Sequence, residues 1–375
     1  MASVHDLRRI AKRRLPGGIF DYIDGGAEDE RSLRESMEAF GELHFRPRVL
    51  RGIAAADPSS ALLGTPVPLP MVLAPTGFTR IADPDGELAV ARAAGRAGVP
   101  YAVSTLRTRS IEEVAAVATA PLWFQVYVWR DRGLVKDMIQ RAAAAGYQAL
   151  CLTVDTAVLG RRERDVRRGF MLPPRLGPRT ILDGLLHPGW TWDFLRSDPI
   201  DFANLQLESQ GAGVVSLAAF VADQFDPDIS WHDVEWMRSV WDGPIVVKGI
   251  QTVEDAQIAV AEGAAGVILS NHGGRQLDSA PVPLDLVAPV REALGGDAMV
   301  ILDGGVRRGS DIVKAVALGA DAAMIGRAFL YGLGAAGEGG VDLVLDILRA
   351  DMVRTMTLIG AATLADLTPD VLTAD

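Results

Sequence analysis

The chain has 375 residues and a formal net charge of −11 at neutral pH, which implies no broad basic surface and argues against general nucleic-acid binding. Hydrophobic residues make up 49% of the sequence and aromatic residues only 6%, which predicts a folded chain with a large aliphatic core. Cys151 is the single cysteine and lies in an apolar run, so disulfides and thiolate metal sites are excluded. We interpret it as buried filler and expect no bound metal ion.

The first 65 residues are predicted to form a helical cap and a proline-rich approach to the main body of the chain. Residues 5–15 are basic and amphipathic, but the apolar stretch of a secretion signal does not follow them. No run reaches the roughly 18 uninterrupted apolar residues of a membrane-spanning helix. We therefore expect the protein to be made and kept in the cytoplasm.

Short apolar runs bounded by glycine or proline alternate with segments of helical spacing. The predicted strands are 71–74, 101–105, 122–128, 149–154, 245–248, 266–270, 299–302 and 322–325. The predicted helices are 87–97, 111–117, 134–145, 253–261, 284–293, 310–318 and 341–358. Eight strand–helix units predict an α/β fold, a (β/α)8 barrel of the TIM type, as a single domain over residues 1–375. An open doubly wound sheet is the alternative.

A long insertion, residues 156–228, interrupts this alternation between the fourth and fifth strands. It begins with a charged run and contains Trp190, Trp192 and Phe194 among apolar neighbours. A connection of this length serves as a lid, a binding segment or a disordered link. Aromatic residues without a spanning run also suit shallow contact with a membrane surface. The insertion is thus predicted to be either a mobile lid or a membrane contact.

Polar residues follow the predicted strands at the end where TIM barrels place their active sites. Any one of them could be a satisfied core residue, but burying the whole set for stability alone would be costly, which favours a site. The candidates are Pro75, Thr76, Gly77, Ser104, Gln125, Tyr127, Thr153, Asp155, Lys248, Ser270 and His272.

The loop after the sixth strand, residues 270–278, places His272 and Arg275 three residues apart in a glycine-rich turn. A histidine that titrates near neutral pH, beside a fixed cation, suits proton abstraction next to a carboxylate. A lone His-x-x-Arg is more often a surface loop. The polar strand ends around it favour the catalytic interpretation here.

The loops after the last two strands predict a phosphate site. Gly305 and Arg307 follow the seventh strand, and Gly326 and Arg327 follow the eighth. Backbone N–H groups exposed by glycine, a helix N-terminus at Ser310 and an arginine could together bind a dianion. A phosphorylated planar cofactor with an anionic substrate against it follows from these features. FMN fits best, and PLP is the alternative. Residues 332–337 match the dinucleotide-binding pattern G-x-G-x-x-G, but no βαβ unit surrounds them. We therefore interpret the match as coincidental and predict no dinucleotide site there.

Four motifs occur in order along nearly the whole chain. They are Asp21-Tyr-Ile-Asp-Gly-Gly-Ala-Glu28, Thr153-Val-Asp-Thr156 with Leu159-Gly-Arg-Arg-Glu163, Ser270-Asn-His-Gly-Gly-Arg-Gln-Leu-Asp278, and Leu302-Asp-Gly-Gly-Val-Arg-Arg-Gly-Ser-Asp311. In these motifs the chain resembles the FMN-dependent L-2-hydroxy acid oxidase and dehydrogenase family, which includes glycolate oxidase, bacterial L-lactate dehydrogenase and mandelate dehydrogenase. The resemblance implies FMN as cofactor and a homo-oligomer, a tetramer in the family.

The resemblance also implies a role for each candidate residue. His272 would be the base, Asp155 would orient it, and Lys248 would stabilise the reduced flavin. The residues implied to bind the substrate are Tyr22, Tyr127, Arg162, His272 and Arg275, with Gly77 and Leu106 at the pocket wall. Those implied to bind the cofactor are Pro75, Thr76, Gly77, Ser104, Gln125, Thr153, Lys248, Ser270, Asp303, Gly305, Arg307, Gly326 and Arg327.

The implied reaction is oxidation of an L-2-hydroxy acid to its 2-oxo acid, with two electrons passing through FMN to quinone or another acceptor. That acceptor would place the protein in peripheral contact with the inner face of the cell membrane. Gly77 replaces the alanine of the oxidase branch and Leu106 replaces a larger aromatic residue of glycolate oxidase. These departures favour lactate or a bulkier acid such as mandelate, and slow reaction with oxygen.

Three alternatives remain open at this point. One is an oxygen-reducing 2-hydroxy acid oxidase. Another is a Schiff-base aldolase that uses Lys248. The third is a phosphate- or flavin-binding module without catalytic activity.

Overall fold

The computed structural model describes residues 1–168, 178–198, 200 and 224–374. Its centre is a closed barrel of eight parallel strands, in which each strand pairs with its neighbours in sequence and the eighth pairs with the first. The strands are Met71–Leu73, Tyr101–Val103, Leu122–Tyr127, Ala149–Thr153, Ile245–Ile250, Gly266–Ser270, Met299–Asp303 and Ala322–Ile325. The predicted (β/α)8 barrel is confirmed, and the doubly wound sheet is wrong because the sheet closes on itself.

The barrel strands alternate with helices. The helices that follow the eight strands are Glu87–Ala97, Ile111–Val117, Arg132–Ala144, His232–Arg238, Val253–Ala261, Val287–Leu294, Gly309–Ala317 and Arg327–Ile359. The last helix begins at Arg327 rather than at 341, because the glycine-rich run is itself helical up to a kink at Ala336 and Gly337. A Cβ at Gly332 would lie 2.3 Å from the Gly340 carbonyl oxygen, so this glycine serves close packing across the kink. The glycine-rich run is thus part of a helix and not a dinucleotide-binding turn, as predicted.

The barrel interior has an apolar layer below a polar layer. Alternate residues of a strand point to the same side, and the inward apolar side chains form one buried cluster that includes Trp123, Cys151, Val246, Ile268 and Ile301. Two positions later on the same strands stand Gln125, Thr153, Lys248, Ser270 and Asp303. The strand period therefore carries these polar side chains into the interior at the carboxyl end. Cys151 is buried, as predicted.

Residues 1–65 contain the helices Val4–Arg14, Gly17–Asp24 and Arg31–Glu42. After them, Leu43–Phe45 pairs with the C-terminal strand Leu372–Ala374. A hairpin of Ser60–Leu62 and Thr65–Val67 contributes Leu62 and Val67 to the interior apolar cluster and so closes the barrel end opposite the polar layer. The helix Gly17–Asp24 brings Tyr22 to the polar end.

The described part of the insertion contains the helices Glu163–Arg168, Pro178–Leu186 and Pro188–Arg196. Residues 169–177, 199 and 201–223 of the predicted insertion lie outside the described residues. Trp190, Trp192 and Phe194 all belong to the helix Pro188–Arg196. Among the helices that the structure describes, none combines the length and the apolar character needed to cross a membrane.

Candidate active site

A cavity of about 300 Å³ opens at the carboxyl ends of the barrel strands. This volume is at the lower end of the range for small-molecule sites. The predicted residues that line it are Tyr22, Pro75, Thr76, Gly77, Ser104, Leu106, Tyr127, Arg162, Lys248, His272, Arg275, Asp303, Gly305, Arg307, Gly326 and Arg327. Four others, Gln125, Thr153, Asp155 and Ser270, lie behind this lining and hydrogen-bond to it or to one another.

His272 and Asp155 form a hydrogen-bonded pair at the cavity wall. The His272 Nδ1 atom lies 3.0 Å from Asp155 Oδ1, and the two side chains are 24% and 2% exposed. Burial works to raise the pKa of the Asp155 carboxyl, but the His272 ring and the Lys248 ammonium outweigh it and the pKa is lowered. The pairing occupies Nδ1 and leaves Nε2 as the nitrogen available to a substrate. Asp155 Oδ2 is buried without a hydrogen-bond partner among the described residues.

Backbone conformation sets the position of this pair. His272 has a left-handed φ of 59°, and its N–H donates to Ser270 Oγ at 3.0 Å. The fifth strand has a register shift between Lys248 and Ile250, with Gly249 at φ 103°. A Cβ on Gly249 would lie 2.7 Å from Asp155 Cβ, so only glycine leaves room for the carboxylate. We did not predict this bulge, although a glycine directly after a strand lysine was a visible signal.

Lys248, Asp303 and Ser270 form a buried charged cluster. Lys248 Nζ lies 2.7 Å from Asp303 Oδ2 and donates to Ser270 Oγ at 2.9 Å. Burial works to lower the pKa of Lys248, but Asp303 and Asp155 outweigh it and raise the pKa. The amine is therefore protonated at neutral pH. A Schiff-base aldolase needs a neutral amine as nucleophile, so this geometry argues against that alternative.

Arg162 and Arg275 converge on the ring of Tyr22. Their Cζ atoms lie 5.4 and 4.9 Å from the ring centroid. Arg275 Nη1 also donates to the carbonyl oxygens of Tyr22 at 2.5 Å and Gly25 at 3.2 Å. Burial lowers the pKa of Arg275, and the neighbouring Arg162 lowers it further. Arginine stays charged at neutral pH, so a carboxylate bound between the two would offset both the burial and the repulsion.

Gln125 links three of the predicted positions behind the cavity. Its Oε1 accepts from Ser104 Oγ at 3.1 Å and from the Thr105 N–H at 3.2 Å. Its Nε2 donates to Thr153 Oγ1 at 3.0 Å. Of these side chains Ser104 borders the cavity. Gln125 and Thr153 therefore act on the cavity through Ser104 in this arrangement.

The predicted phosphate end of the cavity differs from expectation at the helix Gly309–Ala317. The N–H groups of Arg307 and Arg308 donate to Asp311 Oδ2 at 2.8 and 2.9 Å, and the Ser310 N–H donates to Asp351 at 3.3 Å. Carboxylates of the protein thus occupy the amino end of this helix. The expectation that the helix N-terminus at Ser310 binds an anion is wrong for this reason.

Arg327 and Gly305 have structural partners of their own. The Arg327 guanidinium donates to the carbonyl oxygens of Ile23, Gly25 and Gly273 at 3.1, 2.7 and 2.8 Å. Gly305 has φ 77°, and a Cβ there would collide with the Ser36 carbonyl oxygen at 1.8 Å. Each residue therefore joins the cavity to the N-terminal helices. Sequence spacing alone could not reveal these contacts.

The charge of the cavity is opposite to that of the whole chain. Its described lining holds five cations, Arg162, Lys248, Arg275, Arg307 and Arg327, and one carboxylate, Asp303. The chain as a whole carries −11. A surplus of positive charge in a small cavity favours a ligand with more than one negative charge. A phosphate and a carboxylate together meet this requirement, and the residues present fit FMN with a hydroxy acid.

Two lining residues that we did not predict connect the insertion to the site. Gln276 Nε2 donates to the carbonyl oxygens of Asp155 at 3.0 Å and Val158 at 2.8 Å, and its Oε1 accepts from the Gly160 N–H at 3.0 Å. Phe225 packs edge-on against Tyr127 with ring centroids 5.2 Å apart. Gln276 lies inside the 270–278 motif, which was a usable signal. No local pattern marked Phe225.

Gly77 and Leu106, the two departures at the pocket wall, contact each other. A Cβ on Gly77 would lie 3.1 Å from Leu106 Cβ and 3.3 Å from its carbonyl oxygen. An added methyl group would therefore require Leu106 to shift. The two positions therefore shape the same part of the cavity wall, and a substitution at one affects the other.

Comparison with known proteins gives concordant matches. Residues 11–374 match the family described as FMN-dependent dehydrogenase. (S)-Mandelate dehydrogenase of Pseudomonas putida is 42% identical over 99% of this chain and 93% of its own length. L-Lactate dehydrogenase of Allorhizobium ampelinum is also 42% identical, over 99% of this chain and 98% of its own. The crystal structure of the monotopic membrane protein (S)-mandelate dehydrogenase superposes with a TM-score of 0.97, at 42% identity, and each chain is covered in full.

Proposed function

Since the chain belongs to the FMN-dependent dehydrogenase family and is an FMN-dependent 2-hydroxy acid dehydrogenase or oxidase, we propose that it oxidises L-lactate or a bulkier acid such as L-mandelate. The electrons pass to quinone or another acceptor in preference to oxygen. One observation carries this proposal. A His–carboxylate pair and two convergent arginines border the same small cavity.

His272 and the arginines divide the work on the substrate. Arg275 and Arg162 bind the carboxylate, and Tyr22 and Tyr127 donate hydrogen bonds to it or to the 2-hydroxyl group. His272 Nε2 takes a proton from the substrate, and Asp155 stabilises the imidazolium that results. The product is the 2-oxo acid, and the reaction releases two protons and two electrons.

The cofactor occupies the same cavity in this proposal. The residues that would hold the ring and the ribityl chain are Pro75, Thr76, Gly77, Ser104, Lys248 and Asp303, with Gln125, Thr153 and Ser270 supporting them from behind. Gly305, Arg307, Gly326 and Arg327 would hold the phosphate. FMN, when bound, supplies the acceptor for the two electrons. The protonated Lys248 stabilises negative charge that develops beside it.

The pocket wall supports a substrate larger than glycolate. Gly77 carries no side chain and Leu106 is a flexible aliphatic residue whose Cβ would lie 3.1 Å from a methyl group at position 77, so the size of this wall depends on both positions together. Relatives named for lactate are 42–46% identical to this chain and the one named for mandelate is 42% identical, a difference too small to choose between the two acids. The choice between the two acids is therefore a matter for measurement.

A peripheral membrane contact follows from the insertion. Six large apolar side chains on the helices Pro178–Leu186 and Pro188–Arg196 are between 54% and 72% exposed: Ile181, Leu182, Leu185, Leu186, Trp192 and Leu195. A cluster of this kind is typical of an interaction surface. The similar mandelate dehydrogenase is described as a monotopic membrane protein. We propose that this surface lies on the inner face of the cell membrane, where a quinone accepts electrons.

Flotation with liposomes tests the membrane contact. The double variant Leu185→Glu/Leu186→Glu should stay in the soluble fraction, whereas the wild-type protein floats. Leu358→Glu is the matched control, since Leu358 is 68% exposed on the last barrel helix. Equal flotation of the double variant and the wild type would remove the role of this surface and favour the lid.

Anaerobic spectroscopy tests the reaction itself. The purified protein should be yellow, and addition of L-lactate or L-mandelate should bleach the flavin absorbance. A yellow protein that neither acid bleaches would support a flavin-binding module. Rapid peroxide formation when oxygen is then admitted to the bleached protein would support the oxygen-reducing oxidase.

A further inference from the structure

Asp24 is a buried carboxylate at the end of the helix that carries Tyr22. It is 4% exposed and accepts two hydrogen bonds from Arg8, at 2.5 and 2.7 Å. Tyr331 Oη donates to it at 2.8 Å, and Arg164 Nη1 at 3.0 Å. Two arginines from distant parts of the chain thus share one buried carboxylate.

Arg164 belongs to the insertion and forms ion pairs with three carboxylates of the N-terminal cap, among them Asp21 at 3.8 Å. Besides Asp24, its guanidinium pairs with Glu30. Glu30 in turn accepts from the Gly26 N–H at 3.0 Å. One turn further along the same helix, Arg168 pairs with Asp21 at 2.8 Å. The helix Glu163–Arg168 is therefore attached to the helix Gly17–Asp24 through ion pairs.

Apolar packing does not hold this insertion helix. None of the six residues of Glu163–Arg168 is buried, and Val166, its single aliphatic residue, is 63% exposed. A helix this short is also unstable on its own. Its position therefore depends on the ion pairs, on the tether that Gln276 forms to Gly160, and on the Glu28 N–H, which donates to the Arg161 carbonyl oxygen at 2.9 Å.

The two attached helices carry groups of the proposed substrate site. Arg162 directly precedes Glu163–Arg168, and Tyr22 lies within Gly17–Asp24. The Arg162 guanidinium stands 5.4 Å from the Tyr22 ring centroid. The distance between these groups is thus set by the contacts between their helices, among which the Arg164 pairs are the most buried.

We propose that Arg164 is a positioning residue, which holds Arg162 and Tyr22 at the spacing needed to bind the carboxylate of a hydroxy acid. The inference rests on the proposed function and deepens it. Within the described part of the chain, the hydrogen bonds and ion pairs of Arg164 reach neither the cavity lining nor the His272–Asp155 pair, so its removal should change substrate affinity and leave the reacting groups in place. Arg8 and Tyr331 still satisfy Asp24 when Arg164 is absent, so the fold is retained.

The test compares Arg164→Gln with Arg167→Gln in the FMN-loaded protein. Arg167 lies on the same helix, is 71% exposed and pairs with Glu163 of that helix, so it controls for the loss of one arginine. The first measurement is the affinity for 2-hydroxyisobutyrate by calorimetry, since this acid has no hydrogen on Cα and cannot be oxidised. The second is anaerobic flavin reduction over a range of L-lactate and L-mandelate concentrations.

Arg164→Gln should weaken both binding constants about 5- to 30-fold, which corresponds to a loss of about 1–2 kcal/mol, with the limiting reduction rate within about twofold of the wild type. Arg167→Gln should match the wild type, and Arg164→Lys should recover part of the affinity because an ammonium group can keep one of the ion pairs of Arg164. Unchanged affinity in a folded Arg164→Gln protein would overturn the positioning role. A wild-type protein that neither binds the analogue nor is reduced would instead overturn the proposed function and this inference with it.

Discussion

Two regions at the mouth of the barrel place their polarity in opposite ways. One region is the polar ring, the set of polar side chains at the carboxyl ends of the barrel strands that includes Lys248, Ser270 and Asp303. It buries these side chains, with Lys248 only 4% exposed, and pairs them with one another. The helices Pro178–Leu186 and Pro188–Arg196 expose apolar side chains, such as Leu185 at 70%. Neither arrangement favours stability alone. These opposite arrangements fit the proposed roles, chemistry on a bound anion for the ring and contact with a membrane surface for the helices.

The two regions also differ in how they are held. Each polar side chain of the ring stands on a barrel strand or on the loop directly after it. The helix Pro188–Arg196 is attached through few polar contacts, among them the Trp190 indole N–H to the Ile81 carbonyl oxygen at 2.8 Å and the pair of Arg14 with Asp193 at 3.3 Å. Substitutions in the ring should therefore change rates and affinities. Substitutions on the exposed helices should change binding of the protein to membranes.

The largest effect in the ring is expected for Asp155→Asn. The substitution removes the charge that stabilises the His272 imidazolium and disturbs the choice of ring tautomer. We expect the rate of flavin reduction to fall about 10²–10⁴-fold, with FMN still bound. Stopped-flow reduction at saturating substrate measures this. A loss below threefold would show that the pair does not act as a unit.

A smaller effect is expected for Arg275→Lys. An ammonium group keeps the charge but cannot pair with both carboxylate oxygens as a planar guanidinium does. The dissociation constant for the hydroxy acid should rise about 10- to 100-fold, as expected for loss of charged hydrogen bonds. Arg161→Lys is the control, because Arg161 is exposed and does not line the described cavity. Constants within twofold of the wild type would exclude Arg275 as the carboxylate ligand.

The strand ends were predictable because they depend on local sequence. Each predicted strand lies within two residues of its observed bounds, and the period of two carried Lys248 inward above Val246 without further information. The convergence of polar side chains followed from the meeting of strand ends in a closed barrel. The pair of Asp155 with His272 was implied by the family resemblance, and the pair of Lys248 with Asp303 was not predicted.

Contacts between distant segments account for what was missed. The engagement of Arg327 by the carbonyl oxygens of Ile23 and Gly25 joins residues about 300 positions apart, and no spacing rule links them. One of the two carboxylates at the amino end of the helix Gly309–Ala317 belongs to Asp351 of the last helix, about 40 residues later in the chain. The start of that last helix was missed because its glycines resembled a loop.

The buried Asp24 carboxylate, which Arg8 binds most strongly, predicts a pH dependence of stability. Burial works to raise the pKa of Asp24, but Arg8, Tyr331 and Arg164 outweigh it and lower the pKa to about 2. A carboxyl whose folded pKa is depressed stabilises the fold above its unfolded pKa, and this stability is lost as the pH falls from about 4 to 2. The contribution is about 2 kcal/mol. Chemical unfolding of wild type and Asp24→Asn at pH 5 and near pH 2 should show the difference shrinking. A constant difference would contradict the pairing.

The smallest effect is expected for Gly77→Ala at the wall of the ring. The new methyl group would lie 3.1 Å from Leu106 Cβ, so a shift of a few tenths of an ångström accommodates it. We expect the preference for L-mandelate over L-lactate to fall by about 1 kcal/mol, the lower end for a methyl-sized change. The reduced wild-type enzyme should react slowly with oxygen. Competition assays and stopped-flow reoxidation measure the two effects, and an unchanged preference would refute the wall argument.

The central claim is that the polar ring carries the chemistry and the exposed helices carry membrane binding. The rate of anaerobic flavin reduction in two variants tests this claim most directly. His272→Gln should keep FMN bound and lose about 10²–10⁴-fold in reduction rate, because the base is removed while the phosphate site is intact. Leu185→Glu/Leu186→Glu should reduce its flavin at the wild-type rate while it no longer binds liposomes. Near-normal reduction by His272→Gln would contradict the account, since it would place the base elsewhere than in the ring.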